Sequence, residues 1–427
     1  MLTRSPLRRL RAALAAAGLA PALAMSPASA ADGLLTTTVT VFTDDEAITG
    51  SDRFPDVDAL IDSLRRSGYE RINPAYTPKS VARVDVNFRG VDAVVSYPTA
   101  GSRVEFIIPS IDFVEVFDAP DATRAQNEDA LERFLRRNED ALATRLLREA
   151  VRITPFDPVA GSPNSLMSKM VEADFIMGTT VGPEPSQVAS ASDGYDRSRA
   201  SFGINARFGR FSAAGRDAEV YDLPLNYAMP LDDPRYAVIV DAPFTFVRLE
   251  GTDSYSGSLG LGVRLPLYDN WTLTPAIRGG LVGSFDLGTV AGLGAVSLTS
   301  NYRFTAGELN FVIGNSVAYI QTFPISYDGS RFDYDLHNVV LRNGIAVSGP
   351  LDFKLFGQGT TWEASVVNTR YFGSDLYAEN VTDIAISFGT VNSVNGFTWD
   401  SVRLGLTYTF ASGSDYQGLR VNFGYRF

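Results

Sequence analysis

The sequence predicts an all-β transmembrane barrel of about twelve antiparallel strands, preceded by a small α+β soluble domain. Three observations predict it. From about Ser198 onward, apolar residues alternate with Gly, Ser, Thr, Asn and Arg in segments of about ten, the pattern of membrane strands. Before that point the chain instead carries apolar residues at helical spacing between charged stretches. Outside the first thirty residues no run of about 18 apolar residues exists, so a membrane can be crossed only by a closed barrel.

Composition narrows the classes of function. The chain has 427 residues, 45% hydrophobic and 20% charged, which argues against wholesale disorder and against a helical membrane bundle. Its formal charge is −12, and without the arginine-bearing first thirty residues it is still more acidic. A non-specific nucleic-acid binder needs clustered Lys and Arg, so nucleic acid is not an expected partner. The absence of cysteine removes disulfides, thiolate metal sites and thiol nucleophiles. With His337 the single histidine, a multi-His metal site or a His-based triad is hard to assemble. No cofactor is indicated.

Residues 1–30 read as a secretory signal peptide. Arg4, Arg8, Arg9 and Arg11 precede the apolar run Ala12 to Ala24, and Ala28, Ser29 and Ala30 supply a small-residue cleavage site. Pro21 lies inside the run, which is far shorter than the roughly 20 residues of a membrane-spanning helix, so the mature chain is expected to start at Ala31.

Residues 31–160 form the α+β domain. In "FPDVDALIDSLRRSGY" Val57, Leu60, Ile61 and Leu64 share a helical face, with Gly68 as a stop. A three-stranded meander follows, carried by Val84, Val86 and Phe88, then Ala93 and Val95, then Val104, Phe106 and Ile108. A second helix from about Ala122 to Val151 presents Leu131, Phe134, Leu135, Leu142, Leu146 and Val151. Residues 161–198 are a short helix and a linker. Ser162 is placed as N-cap and Pro163 at the first helical position, with Leu166, Met170 and Val171 on one face. Met167, Met170 and Met177 give that helix the adaptability of a binding surface or a plug, but packing against the α+β domain is the expected arrangement. Gly178 to Ser198, rich in Gly, Pro and Ser, reads as a flexible linker.

Residues 199–427 form the barrel, with strands expected near 200–210, 218–229, 236–249, 255–266, 270–283, 293–305, 308–322, 337–349, 352–371, 380–393, 398–411 and 416–427. In the last of these Leu419, Val421, Phe423, Tyr425 and Phe427 lie on one face, opposite Arg420, Asn422, Gly424 and Arg426. The ending "LRVNFGYRF", with apolar residues at alternate positions up to a terminal Phe427, resembles the assembly signal of Gram-negative outer-membrane proteins. The resemblance implies an outer-membrane location, contact with outer-membrane lipid, and insertion by the outer-membrane assembly machinery. The order of the parts, N-terminal domain first and twelve-stranded barrel last, is similar to the autotransporters, whose barrel is the translocator.

Arg207, Arg264, Arg278, Arg403, Arg420 and Arg426 all fall in the register opposite the apolar face and are expected to point into the lumen. They fit either a cationic constriction that favours anions or an internal salt-bridge lattice with residues such as Asp400 and Glu363. The early acids Asp44, Asp45, Glu46, Asp52, Asp56 and Asp58 match no calcium-loop spacing and read as a solvated face. A catalytic role is not expected; its one foothold is a barrel-borne hydrolase using His337 beside Asp333 and Asp335. The favoured function is a barrel that anchors or translocates the N-terminal domain. The alternative is a transport barrel or porin whose N-terminal domain stays periplasmic and binds a partner or gates the pore. Strand parity places both ends of the barrel at the periplasmic face, so the domain stays there unless its linker passes through the lumen.

Overall fold

A computed structural model describes residues 34–426 except 45, 57–58, 61–62, 64–65, 128–129, 132–138, 156, 180–200, 234, 328–329, 356 and 391–400. The signal segment, Val57, Ile61, Leu64, Phe134, Leu135, Asp45, Asp58, Asp400, Phe427 and nearly all of the linker therefore lie outside the described residues.

The N-terminal region is built on a six-stranded antiparallel sheet. Its strands are β1 (Leu35–Phe42), β2 (Ala47–Arg53), β3 (Val81–Phe88), β4 (Val91–Tyr97), β5 (Val104–Ile108) and β6 (Phe113–Phe117), in the order β2-β1-β3-β4-β5-β6. The expected meander is its β3–β5 part, and β1, β2 and β6 are additions. β1 is buried along almost its whole length because both its faces are covered. Its threonines find partners at once: Thr37 bonds Ser63 at 3.0 Å, Thr38 bonds Ser51 at 2.9 Å and Thr40 bonds Thr49 at 3.1 Å. Helices accompany the sheet, among them α1 (Arg66–Ile72) and α2 (Glu139–Ile153). Gly68 does not stop α1, which runs on to Ile72. The chain turns at Asn73 and Pro74 instead, where the Asn73 side-chain amide donates to the carbonyls of Val39 and Ile48 and ties the turn to the sheet.

The C-terminal half closes into a barrel of twelve antiparallel strands. These are β7 (Ser201–Ala213), β8 (Arg216–Pro230), β9 (Ala237–Leu249), β10 (Thr252–Tyr268), β11 (Trp271–Ser284), β12 (Thr289–Ala306), β13 (Leu309–Phe323), β16 (His337–Leu355), β17 (Gln358–Gly373), β18 (Asn380–Thr390), β19 (Ser401–Ala411) and β20 (Gln417–Arg426). A small hairpin, β14 (Ile325–Tyr327) with β15 (Ser330–Phe332), decorates the loop between β13 and β16. The barrel closes by pairing β20 with β7, Val421 opposite Phe208 and Arg420 opposite Gly209. The expected boundaries shift by a few residues, most at the β16–β17 turn: β16 continues through Pro350 to Leu355, so the turn to β17 falls at Gly357.

Period-two alternation decides which side chain meets which medium. Leu404, Leu406, Leu419, Val421 and Phe423 face outward and are exposed, whereas Thr407, Thr409 and Arg420 between them are buried inside. Aromatic rings line both rims of the outer surface. Phe208, Tyr221, Phe246 and Tyr255 form one chain of contacts, with ring centroids 5.1, 5.8 and 5.1 Å apart. Tyr268, Trp271, Tyr302, Phe304 and Phe311 form another near the opposite rim. Along β10, the residues between Tyr255 and Tyr268 span about 30 Å at ~3.3 Å rise and ~40° tilt, the height of a bilayer's apolar core.

The N-terminal sheet sits over the rim that carries the β9–β10, β11–β12 and β17–β18 loops. Val151, Val159 and Ala160 share one hydrophobic core with Leu249, Leu287, Leu293, Leu336 and Leu376 of the barrel. Backbone bonds cross the junction, from Tyr377 N–H to the Val151 carbonyl at 3.0 Å and from Ala378 N–H to the Gly161 carbonyl at 3.1 Å. Deeper in, the Arg89 guanidinium is fully buried against Asp157, and Tyr334 bonds Thr289 at 2.6 Å and Asp157 at 3.3 Å. Burial pushes the Tyr334 phenol above its ordinary range, so it stays protonated and can donate to Asp157.

Candidate functional site

A third helix, α3 (Leu166–Thr179), lies inside the barrel. It does not lie along the N-terminal domain as expected; Leu166, Met167, Met170 and Val171 join the core shared with that domain, and the rest runs down the lumen. The reason is legible in its surface: Leu166, Met167, Lys169, Met170, Val171, Asp174, Phe175 and Met177 are all buried, and the face of Ser168, Glu172, Ile176 and Thr179 is partly buried. Ser162 is not its N-cap. The Ser162 hydroxyl accepts the Asn164 N–H at 3.1 Å in a preceding turn, and the helix starts four residues later. Its first N–H groups are met by main chain, Leu166 by the Pro158 carbonyl at 2.9 Å and Met167 by the Val159 carbonyl at 3.0 Å.

Three charged residues fix the helix to the wall. Lys169 Nζ lies 2.7 Å from Asp222, whose other oxygen accepts the Thr245 hydroxyl at 2.7 Å. Glu172 pairs with Arg207 at 2.8 Å and Arg420 at 3.1 Å. Asp174 accepts from Arg278 Nε at 2.7 Å and from the Ser297 hydroxyl at 2.7 Å, and Arg278 also reaches Asp241 at 2.6 Å. Arg278 is fully buried, so each of these partners offsets a desolvation cost that an unpaired guanidinium would carry in full. Glycines in the wall make room for the helix. A Cβ on Gly262 would stand 2.4 Å from Met177 Sδ, and one on Gly280 would stand 3.0 Å from both Leu166 and Met170. At its far end, the Thr179 carbonyl accepts from Asn301 at 3.1 Å and from Arg303 at 3.3 Å. The chain thus enters the lumen at the rim under the N-terminal sheet and reaches the opposite end, where β7 begins.

α3 leans on β9–β13, and a cavity of about 350 Å³ remains between it and the wall made by β7, β8 and β16–β20. Arg207, Arg403 and Arg420 line it, with Arg403 donating to Ser387 at 3.1 Å and Thr361 at 3.0 Å. Arg278 lies on the other side of the helix, and Arg264 shares the inward register of Gly262. The Arg426 side chain lies outside the described residues, as does that of Tyr425. Sequence reading missed Arg303 and Arg342, which also line the cavity, and the acids Glu172, Asp174, Asp222, Asp241 and Asp383 that partner the arginines. Alternating register was a signal for the wall residues, but the acids on α3 gave none until the helix was known to be inside. Glu363 does line the cavity.

His337 is exposed at the rim, and its main chain, not its ring, engages Ser374: the Ser374 hydroxyl accepts the His337 N–H at 3.0 Å. Asp335 is taken by Arg148 at 3.0 Å. In the early acidic stretch Asp56 caps the Ala59 N–H at 2.8 Å, while Asp44, Glu46 and Asp52 are exposed.

A closed antiparallel barrel with apolar residues outside, charged residues inside and aromatic rings at both rims is an outer-membrane-type β-barrel, here with a helix in its lumen. No family model and no curated protein matches the chain. Among solved structures, it is similar to the β domain of the Bordetella autotransporter BrkA, at 14% identity over 53% of this chain and 98% of that one, with a TM-score of 0.39. It is also similar to the translocator domain of autotransporter NalP from Neisseria meningitidis, at 12% identity over 56% and 92%, with a TM-score of 0.40. The CymD monoaromatic hydrocarbon channel matches at 10% identity over 60% and 96%, with a TM-score of 0.33.

Proposed function

We propose that this protein is an outer-membrane barrel that holds its N-terminal six-stranded domain at the cell surface, in the manner of an autotransporter translocator with an attached passenger. The observation that carries this reading is the path of α3, which joins a domain at one rim to a barrel whose own ends lie at the other. Bacterial barrels keep their short turns periplasmic and their longer loops outside. Two-residue turns occur at both ends, at 269–270 and 307–308 beside the barrel termini and at 214–215 and 250–251 under the N-terminal domain, and the longest connection, 324–336, belongs to the end under that domain. On that orientation the domain is external and α3 is the segment that crosses.

The signal peptide delivers the chain to the periplasm, and the assembly machinery reads the closing strand through Leu419, Val421, Phe423, Tyr425 and Phe427. The outer band of the barrel then takes membrane lipid as its partner. The transport alternative draws on the cavity beside α3. Planar-bilayer recording separates the two: the display reading expects the intact chain to be closed, and steady conductance favours a porin. Protease treatment of intact cells carrying an epitope after Ala31 tests the display itself. Loss of the epitope is expected, and protection until the outer membrane is permeabilised would refute it.

A further inference from the structure

One row of paired residues interrupts the apolar outer surface of the barrel. Ser300 on β12, Asn315 on β13, Asn343 on β16, Asn368 on β17 and Thr382 on β18 stand directly opposite one another from strand to strand. They share the outward register of Leu298, Val317, Leu341, Val366 and Ile384, which are exposed. Both ends of the row are satisfied within the chain. Ser300 Oγ accepts the Trp271 Nε1–H at 2.8 Å, and the Asn368 amide donates to Asn380 at 2.8 Å and to Thr382 at 3.0 Å. The two asparagines in the middle are not satisfied: Asn315 and Asn343 are exposed, and neither side chain has a hydrogen bond among the described residues.

Strand pairing fixes how deep the row lies. Followed from Tyr268 through Trp271, Tyr302, Ile313 and the remaining strands, a line of paired residues returns to β10 at Asp253, about fifteen residues along that strand. With strands ~4.8 Å apart and ~3.3 Å per residue, that climb sets the tilt at about 40°, so each strand crossed lifts a row by ~3 Å and each residue by ~2.5 Å. Measured from Tyr268 at the rim of the barrel termini, Asn315 stands at about 14 Å and Asn343 at about 18 Å. The rings from Tyr268 to Phe311 lie at about 0–6 Å on this scale and those from Phe208 to Tyr255 at about 23–33 Å. Both free amides are therefore at the middle of the bilayer, where a short side chain reaches no water and lipid tails offer no hydrogen bond. A bond between the two neighbours themselves would leave most of their donors and acceptors unmet.

We infer that the face made by β13 and β16 docks a second copy of this chain within the membrane, each copy's Asn315 bonded to the other's Asn343. A side-chain amide is both donor and acceptor and so complements itself, which singles out an identical face as the occupant. Two copies standing the same way up in one bilayer share a two-fold axis along the membrane normal, so equal heights face each other. An axis between β13 and β16 sets Asn315 against the other copy's Asn343 with about 3 Å between them in height, within reach of a side-chain hydrogen bond. Leu341 above the pair and Ile313 below it flank the same axis and extend the contact with apolar surface. The inference rests on the membrane barrel and holds whichever rim carries the N-terminal domain.

In the cysteine-free chain, Leu341→Cys places one thiol beside the axis with both asparagines intact, and Leu223→Cys on β8 places one at similar height on the far side of the barrel. Outer membranes holding either full-length variant are oxidised with copper phenanthroline and run on non-reducing gels, each variant first shown to be folded by its heat-modifiable mobility. Leu341→Cys is expected to form a disulfide-linked dimer about ten-fold faster than Leu223→Cys, because docked copies hold their thiols at high effective concentration. Should Leu341→Cys fail to assemble, Ile313→Cys replaces it. Adding Asn315→Leu and Asn343→Leu, changes that suit a lipid-facing position, should leave the barrel folded and lower the rate to that of Leu223→Cys. Equal rates at the two positions would mean that lipid covers the face, and a cross-link to a chain of another mass would mean that a different protein does. Either result would overturn the inference, as would an unchanged dimer rate once both amides are gone.

Discussion

Arg278 reaches Asp174 on the helix and Asp241 on the wall from a fully buried position, and that one side chain shows what the lumen demands of each residue. Replacing it by Leu leaves two buried carboxylates without their shared counter-charge. A loss of about 3–5 kcal/mol is expected, the usual cost of breaking a buried pair from one side, read as a lower urea midpoint for the heat-modifiable folded form. On the outer face the rule reverses. Leu406→Arg, at the middle of β19, should cost about 2–4 kcal/mol of barrel stability, whereas a Leu406→Ile control should cost little. At the rim, Asp415 ties three loops: its carboxylate accepts from the Tyr377 hydroxyl and from the Ala214 N–H at 2.7 Å. The Tyr377 hydrogen bond, helped by that backbone N–H, holds the Asp415 carboxyl below its usual range. A depressed carboxylate contributes stability that is present above the unfolded-state value and lost as pH falls through the folded one. Amide exchange in the β19–β20 loop should therefore rise below about pH 4, and Asp415→Asn should remove that dependence; an unchanged profile in the variant would contradict the link.

Among the elements, α3 is where sequence and structure part most informatively. The strands were readable because a half-buried barrel strand writes its two environments alternately into the chain, as Leu404 to Phe410 does against Arg403 to Thr409. A helix buried on most of its surface, with charged residues among the buried ones, writes no such contrast. Lys169, Glu172 and Asp174 read as solvent-facing until Asp222, Arg207, Arg420 and Arg278 are seen around them. β1 was missed for a related reason: its threonines look polar in sequence but are buried in cross-strand and helix contacts. The fit of α3 makes its own prediction. Gly280→Leu would press on Leu166 and Met170, and the expected result is a displaced helix, seen as conductance in planar bilayers where the unaltered chain is closed. A closed Gly280→Leu barrel would argue that the wall can yield without moving the helix.

For the whole molecule, the barrel and the N-terminal region are joined twice, by the chain through the lumen and by a shared core that includes Val151, Val159, Leu287 and Leu336. Among the described residues, this region nevertheless holds six strands and the helices α1 and α2, and residues 31–160 expressed alone are expected to give a folded, mixed strand and helix circular dichroism spectrum. An unfolded spectrum would mean that the domain depends on the rim it covers. The extent of the barrel and its strand number were legible from alternation, which also set Arg207, Arg278, Arg403 and Arg420 opposite the apolar face. The position of the domain was not, because parity fixes only the ends of the barrel and is silent on a segment that passes back through it. That passage is the central claim, and a pair of single cysteines in this cysteine-free chain tests it most directly. Val114→Cys lies on the exposed face of β6, and Glu308→Cys lies in the turn beside the far end of the lumen. With a membrane-impermeant maleimide on intact cells, Val114→Cys should be labelled and Glu308→Cys should be labelled only after the outer membrane is opened. Labelling of both on intact cells, or protection of both until permeabilisation, would contradict the passage, and labelling of Glu308→Cys with protection of Val114→Cys would reverse the orientation.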